Sequence, residues 1–186
     1  MNLFVTHYHR ADRPAFANLS EVAQVEVDRV LTGLLGGSRR RFGPRYLSLR
    51  RATEARARGL FVAAGGRPVR RCPHYFVLGS SPWFAGLYDV PREIRLPLSA
   101  LPPEVTSFTW TDSITALGLG EPLGVPGPSE SWQRGLHLLG DLDLSRADEA
   151  ATTGTADYDG YQRHVLQHYV EVQLWSDEPV AQYLVT

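Results

Sequence analysis

Helix-like periodicity in this 186-residue chain ends at Gly65-Gly66, and nearly every strand-like run comes after it. Before that point, Ser20, Glu21 and Gln24 open a segment that predicts a helix through about Leu35. Its apolar positions Val22, Val25, Val30 and Leu34 have partial helical spacing, and Gly36-Gly37 closes it. A second helix is expected from about Pro44 to Ala64, anchored by Tyr46, Leu47, Leu49, Leu60, Phe61 and Val62, with Gly65-Gly66 as its stop. Past it lie short aromatic and β-branched runs: His74 to Leu78, Glu93 to Leu98, Val105 to Trp110, His168 to Trp175 and Val180 to Val185. Leu3 to Tyr8 adds a strand ahead of the helices. Such segregation predicts an α+β fold: a mostly antiparallel central sheet of about six strands in two packed halves, with helices mainly N-terminal. No repeat or composition break divides residues 1–186, so a single domain is expected.

The run from His74 to Tyr88 reads as a strand, a tight turn and an aromatic helix start. Gly79 permits a sharp turn. Ser80 or Ser81 caps the next helix, with Pro82 at its first position. Free N–H groups at such a start suit an anionic ligand, although a purely structural corner has the same sequence. Pro97 cannot donate to a ladder, which places Glu93 to Leu98 at a sheet edge. The Gly- and Pro-dense stretch Gly118 to Pro128 is a loop, Trp132 to Leu139 fits a strand or a short helix, and Asp141 to Asp159 reads as acidic surface.

Several chemistries are excluded by what the sequence lacks. No apolar run is long enough to span a bilayer, and the N-terminus has no basic-then-apolar signal, so no membrane association and a cytoplasmic location are expected. The single cysteine, Cys72, cannot form an internal disulfide, and the six histidines show no metal-binding spacing. There is no Walker loop, no Gly-x-Gly-x-x-Gly and no Gly-x-Ser-x-Gly elbow. All nineteen basic residues are arginine, as a GC-rich coding sequence would produce. Eleven of them fall between Arg39 and Arg71 with Glu54 as the one acid, so this region is strongly positive in a chain of net charge −1. A solvated helix face normally interleaves acids, so the pattern points to an anionic partner.

Glu171 is the residue least easily explained as filler. It sits mid-strand, with Tyr169 and Gln173 on its face and Val170, Val172 and Leu174 on the other. A buried acid needs an arginine partner or a ligand hydroxyl; a solvent-facing position is the plain alternative. On the first strand, His7 and His9 share one face and Tyr8 takes the other.

The order of these features resembles the DarT-type ADP-ribosyltransferases, toxins of toxin–antitoxin pairs that modify single-stranded DNA bases using NAD. The likeness rests on Thr6-His7 in the first strand, the helical arginine region and the Pro-His-Tyr-Phe, Ser-Ser-Pro-Trp-Phe and Leu-Tyr block. It continues in the Phe-Thr-Trp-Thr-Asp strand end and the late Val-Glu-Val-Gln-Leu-Trp strand. It implies an ADP-ribosyltransferase-like fold, NAD as substrate, His7 holding NAD, Arg50 or Arg51 aiding catalysis, and Glu171 as the catalytic glutamate. Tyr75, Ser80, Ser81 and Tyr88 of the middle block would complete the NAD site, single-stranded nucleic acid would be the acceptor, and an antitoxin protein would be a partner. The chain departs from the family pattern after His7, where Asn18-Leu19 comes late. The chemistry suits these residues: breaking the nicotinamide–ribose bond builds positive charge that a carboxylate stabilises, and arginines neutralise the pyrophosphate. The alternative is a non-catalytic module that binds nucleic acid or an acidic partner through the Arg39–Arg71 region. A nuclease would need a metal-binding acid cluster that the sequence does not offer.

Overall fold

A computed structural model describes residues 3–35, 45–86, 88, 90–123, 127–128, 130–143, 145–146 and 169–184. The Gly36-Gly37 stop, Arg39 to Arg41, Pro44, most of the acidic 141–159 stretch, His168 and Val185 lie outside the described residues.

Six strands form one antiparallel sheet in the order β3-β1-β2-β6-β4-β5. They are β1 (Phe4–Arg10), β2 (His74–Leu78), β3 (Pro91–Pro97), β4 (Thr106–Thr109), β5 (His137–Leu138) and β6 (Glu171–Leu174). The helices are α1 (Gln24–Leu35), α2 (Tyr46–Ala63) and the single-turn α3 (Pro82–Ala85) and α4 (Ser113–Ala116). The class is therefore α+β, and among the described residues the long helices precede Gly66. The strands join in one continuous sheet rather than two packed halves, because β6 pairs with β2 on one side and β4 on the other.

Local chemistry explains most boundaries. α2 buries Leu47, Thr53, Glu54, Ala57 and Phe61, one stripe at helical spacing. It ends where Gly65 takes a positive φ of 99°, and the N–H groups of Gly65 and Gly66 reach back to the Val62 and Phe61 carbonyls at 3.0 and 2.8 Å. Leu60 and Val62, expected as anchors, are exposed beside the buried Phe61. α1 starts at Gln24, four residues later than Ser20, whose N–H is held by the Asn18 side chain at 2.8 Å. Val27 is buried, and Val25 faces solvent. At α3 the cap is Ser81: its hydroxyl accepts from the Phe84 N–H at 3.1 Å, with Pro82 in the first turn. β3 is an edge strand, as Pro97 requires. The 132–139 segment contains both alternatives, a 3₁₀ turn at Ser131–Gln133 and then β5.

The expected final strand from Val180 to Val185 is instead a 3₁₀ helix, Glu178–Tyr183. Both edges of β6 are already paired, and Pro179 suits a helical first turn. Val180 is fully buried in the core with Phe16, so this segment contributes packing and no ladder.

Candidate functional site

Register decides which side chains meet. Directly paired residues in an antiparallel sheet point to the same face. One row across the sheet is Arg95, Thr6, Val77, Glu171 and Thr109; the row beside it holds Tyr75, Gln173 and Ser107. The opposite face carries Ile94 with His7, and Phe76, Val172 and Phe108 with His137. Glu171 therefore shares its face with Tyr75, Gln173 and, on β1, Thr6 and Tyr8.

His7 lies on the other side of the sheet from Glu171, and it is fully engaged there. Its ring stacks on Phe16 at 4.1 Å and meets Phe76 edge-on at 5.8 Å. Nδ1 sits 2.8 Å from the Tyr75 carbonyl and Nε2 3.1 Å from the Phe16 N–H. A carbonyl only accepts and an N–H only donates, so the ring is neutral with its proton on Nδ1. Burial is the main reason its pKa is pushed down to about 4. His7 and Glu171, given one NAD site by the resemblance, are on opposite faces of the sheet.

Glu171 is buried in the central strand. Its Oε1 accepts the Ser113 N–H at 3.2 Å and the Gln173 amide at 3.1 Å. Neither of these bonds goes to Oε2, and the Ser113 side chain also acts on the carboxyl. Burial, then the charge of nearby Asp112, push the carboxyl pKa up to about 7, while the Ser113 and Gln173 bonds oppose the shift. Asp112 is fixed as the cap of α4, accepting the Thr115 N–H and hydroxyl at 3.0 and 2.7 Å. The result is a carboxyl anchored through Oε1 and able to exist in either ionisation state near neutrality, which suits acid–base work.

Adjacent to it is a second buried polar cluster. Glu54 of α2 takes three donors on Oε1: Asn18 at 3.1 Å, Arg50 at 3.0 Å and the Tyr75 hydroxyl at 3.2 Å. Arg50 also donates to the Tyr46 hydroxyl at 2.9 Å, and its guanidinium lies 4.7 Å from the Tyr75 ring centre. Burial opposes its charge, but Tyr46, Tyr75 and Glu54 hold its pKa well above the usual arginine value. Tyr75 is the bridge between the clusters: burial first, then the charges of Glu54 and Glu171, push its phenol well up. Burial, then the charges of Asp112 and Glu171, push the Tyr169 phenol up as well.

The two candidate arginines are separated by this geometry. Arg50 points inward to Tyr75 and Glu54, and Arg51 is exposed, with no ion pair among the described residues. Ser81 is a helix cap whose own N–H donates to the Tyr8 hydroxyl at 3.0 Å, and Ser80 is exposed on the turn before it. Tyr88 is half-buried, 6.2 Å from the Phe84 ring, which also packs on Tyr169. Cys72 is buried with its thiol pushed up to about 11 by burial and Glu54, so it is a poor nucleophile.

Among the described residues the arginines of this region are divided between internal bonds and open surface. Arg58 donates to the Arg70 and Pro68 carbonyls, and Arg70 pairs with Glu21 and Asp177. Arg45, Arg51, Arg56, Arg67 and Arg71 are exposed; at 100° per residue, Arg51 and Arg56 fall on opposite flanks of α2. A groove of about 990 Å³ opens at the edge of the sheet between Phe4, Arg95, Leu98 and Leu139, and none of the candidate residues lines it. Among the described residues no cluster of three His, Cys, Asp or Glu could hold a metal ion, and no helix is long and apolar enough to cross a membrane.

Alternation along β6 was sufficient to find Glu171. Gln173, Ser107, Glu54 and Tyr46 were missed as site residues, because their roles depend on which strands and helix lie side by side. The chain matches no family model, no curated protein and no solved structure.

Proposed function

We propose that the protein is an NAD-dependent ADP-ribosyltransferase with Glu171 as its catalytic carboxyl and single-stranded nucleic acid as acceptor. The observation that carries this reading is Glu171 itself: buried mid-strand, anchored through Oε1 by the Ser113 N–H and the Gln173 amide, with its pKa pushed up to about 7. Ionised, such a group stabilises the positive charge that builds on ribose as nicotinamide leaves. It can also take the proton of an attacking base nitrogen. Tyr75, oriented by Glu54 and backed by Arg50, supplies an aromatic ring on the same face, suited to packing against a planar leaving group. The exposed arginines on α2 and after it suit a polyanionic acceptor.

The test is nicotinamide release from NAD, with and without single-stranded DNA or RNA. Wild type is expected to release it, and Glu171→Gln to lower turnover by about a hundredfold or more while remaining folded. If wild type neither binds NAD nor releases nicotinamide with any nucleic acid, the enzyme reading fails. The exposed arginines then favour a nucleic-acid-binding module, whose affinity should fall steeply with salt.

A further inference from the structure

Gln173 is fully buried, two residues beyond Glu171 on the same face of β6. A buried primary amide has two donor hydrogens and an acceptor oxygen to satisfy, and its orientation must come from its neighbours. Here the neighbours decide it. The Trp175 indole N–H can only donate, and it donates to Ser107 Oγ at 2.9 Å. The Ser107 hydroxyl proton is thereby directed to its other partner, Gln173 Oε1, also at 2.9 Å. The amide NH₂ must then face Thr109 Oγ1 and Glu171 Oε1, both at 3.1 Å. Thr109 completes the pattern by giving its own proton to the Thr111 carbonyl at 2.6 Å. The chain starts from a fixed point: Trp175 has no exposed surface, and its ring is stacked on Phe61 of α2 at 6.0 Å.

We infer that Gln173, oriented by Ser107 and Trp175, is a positioning residue that ties Glu171 Oε1 into the sheet. This takes Glu171 as the reactive carboxyl, as proposed above. An amide N–H donated to a carboxylate also favours its ionised form. Three other groups face Glu171 electrostatically: Asp112 from the turn before α4, Tyr75 from β2 and Tyr169 from the approach to β6. Asp112 disfavours the anion. The Ser113 side chain, Gln173 and the Ser113 N–H work the other way.

The experiment follows the Glu171 carboxyl by NMR in protein labelled at glutamate carboxyl carbons. Its resonance is assigned by its disappearance in Glu171→Gln. Gln173→Met keeps length and removes both donors; its Glu171 midpoint is expected to rise by roughly one pH unit. Nicotinamide release should fall about tenfold in kcat, with the KM for NAD little changed and the pH profile moved upward with the midpoint. An unmoved midpoint in a folded Gln173→Met protein overturns the inference. Should Gln173→Met fail to fold, Ser107→Ala decides. It keeps Gln173 but removes the proton that orients its amide, so a midpoint shift of the same sign supports the inference and an unchanged midpoint overturns it. If wild type releases no nicotinamide, the NAD reading falls, and the titration still judges the role of Gln173 separately.

Discussion

Val5 and Thr6 are neighbours in β1, both have no exposed surface, and they point to opposite faces of the sheet. Around Val5 the interior is hydrocarbon and aromatic: Phe16, Phe76, Leu78, Leu96, Phe108, Val172 and Leu174 pack as one cluster. On the Thr6 face polar groups are buried beside apolar ones: Ser107, Thr109, Glu171 and Gln173 are joined by hydrogen bonds, and Tyr8, Val77 and Tyr169 form a smaller apolar cluster. One face is held by area removed from water, which needs no orientation. The other adds to its apolar packing a pairing of donors with acceptors, which is directional and costly to leave incomplete. The difference teaches where chemistry can reside. A face packed mainly by hydrocarbon offers a ligand little, whereas a face that also carries a buried hydrogen-bonded network can hold a carboxyl in a fixed place.

The largest expected effect separates the two kinds of interior. Phe76→Ala removes a ring in contact with Phe16 and His7 and should cost about 3–5 kcal/mol. Tyr75→Phe, one residue away on the other face, removes only the hydroxyl that donates to Glu54 and should cost about 1 kcal/mol. Denaturant midpoints of the two variants measure both. Equal costs would show that the two faces are held by the same kind of interaction.

The next effect uses pH. Both faces contain a titratable group that burial holds toward its neutral form, but the groups are of opposite type. The Glu171 pKa rises from 4.5 to about 7, so as pH rises the unfolded chain loses this proton first and stability falls across that window. The His7 pKa falls from 6.5 to about 4, so as pH falls the unfolded chain takes the proton first and stability falls toward acid. Each contributes at most about 3 kcal/mol. Their slopes oppose one another where the windows overlap. Glu171→Gln should therefore gain stability over wild type as pH rises from 4.5 to 7, and His7→Phe should gain over wild type as pH falls from 6.5 to 4. Thermal melting of the three proteins across pH reads both differences. Parallel curves would show that neither group is held neutral by the fold.

How much of this was legible in the sequence depends on whether a feature was local. The β2–turn–α3 corner was readable because its signals are adjacent residues: the aromatic run from His74, the Ser81 cap and Pro82. Pro97 announced an edge strand for the same reason. Glu171 stood out by alternation within a single strand. The face of His7 relative to Glu171 was not readable, because it depends on β2 lying between β1 and β6, and strand order is not written in either strand. The Val180 to Val185 run has strand composition, but both sides of β6 were taken, a fact settled elsewhere in the chain. The hydrogen-bond chain through Trp175, Ser107 and Gln173 spans two strands and rests on Phe61 of α2, so no window of sequence contains it.

The smallest expected effect is also the closest control, because it exchanges the chemistry of the two faces at adjacent positions. The Thr6 hydroxyl donates to the Gly79 carbonyl at 2.6 Å. Gly79 has a φ of 66°, and its N–H is bonded to the Phe4 carbonyl at 2.7 Å, so the turn is tied to β1 by both of its polar groups. Thr6→Val preserves the branched shape and removes that one bond; the expected loss is about 1 kcal/mol. Val5→Thr does the opposite, placing a hydroxyl among Phe16, Phe76 and Leu78. The nearest relief is the strand backbone, whose groups are already paired with β2 and β3. Burial of an unpaired hydroxyl costs about 1–3 kcal/mol in proteins, so Val5→Thr should be no milder than Thr6→Val. If the faces differed only in composition and not in the completeness of their bonding, the double exchange Val5→Thr with Thr6→Val would be neutral. A combined loss close to the sum of the two single losses, measured by urea unfolding, is the result expected when each face is committed to its own kind of interaction.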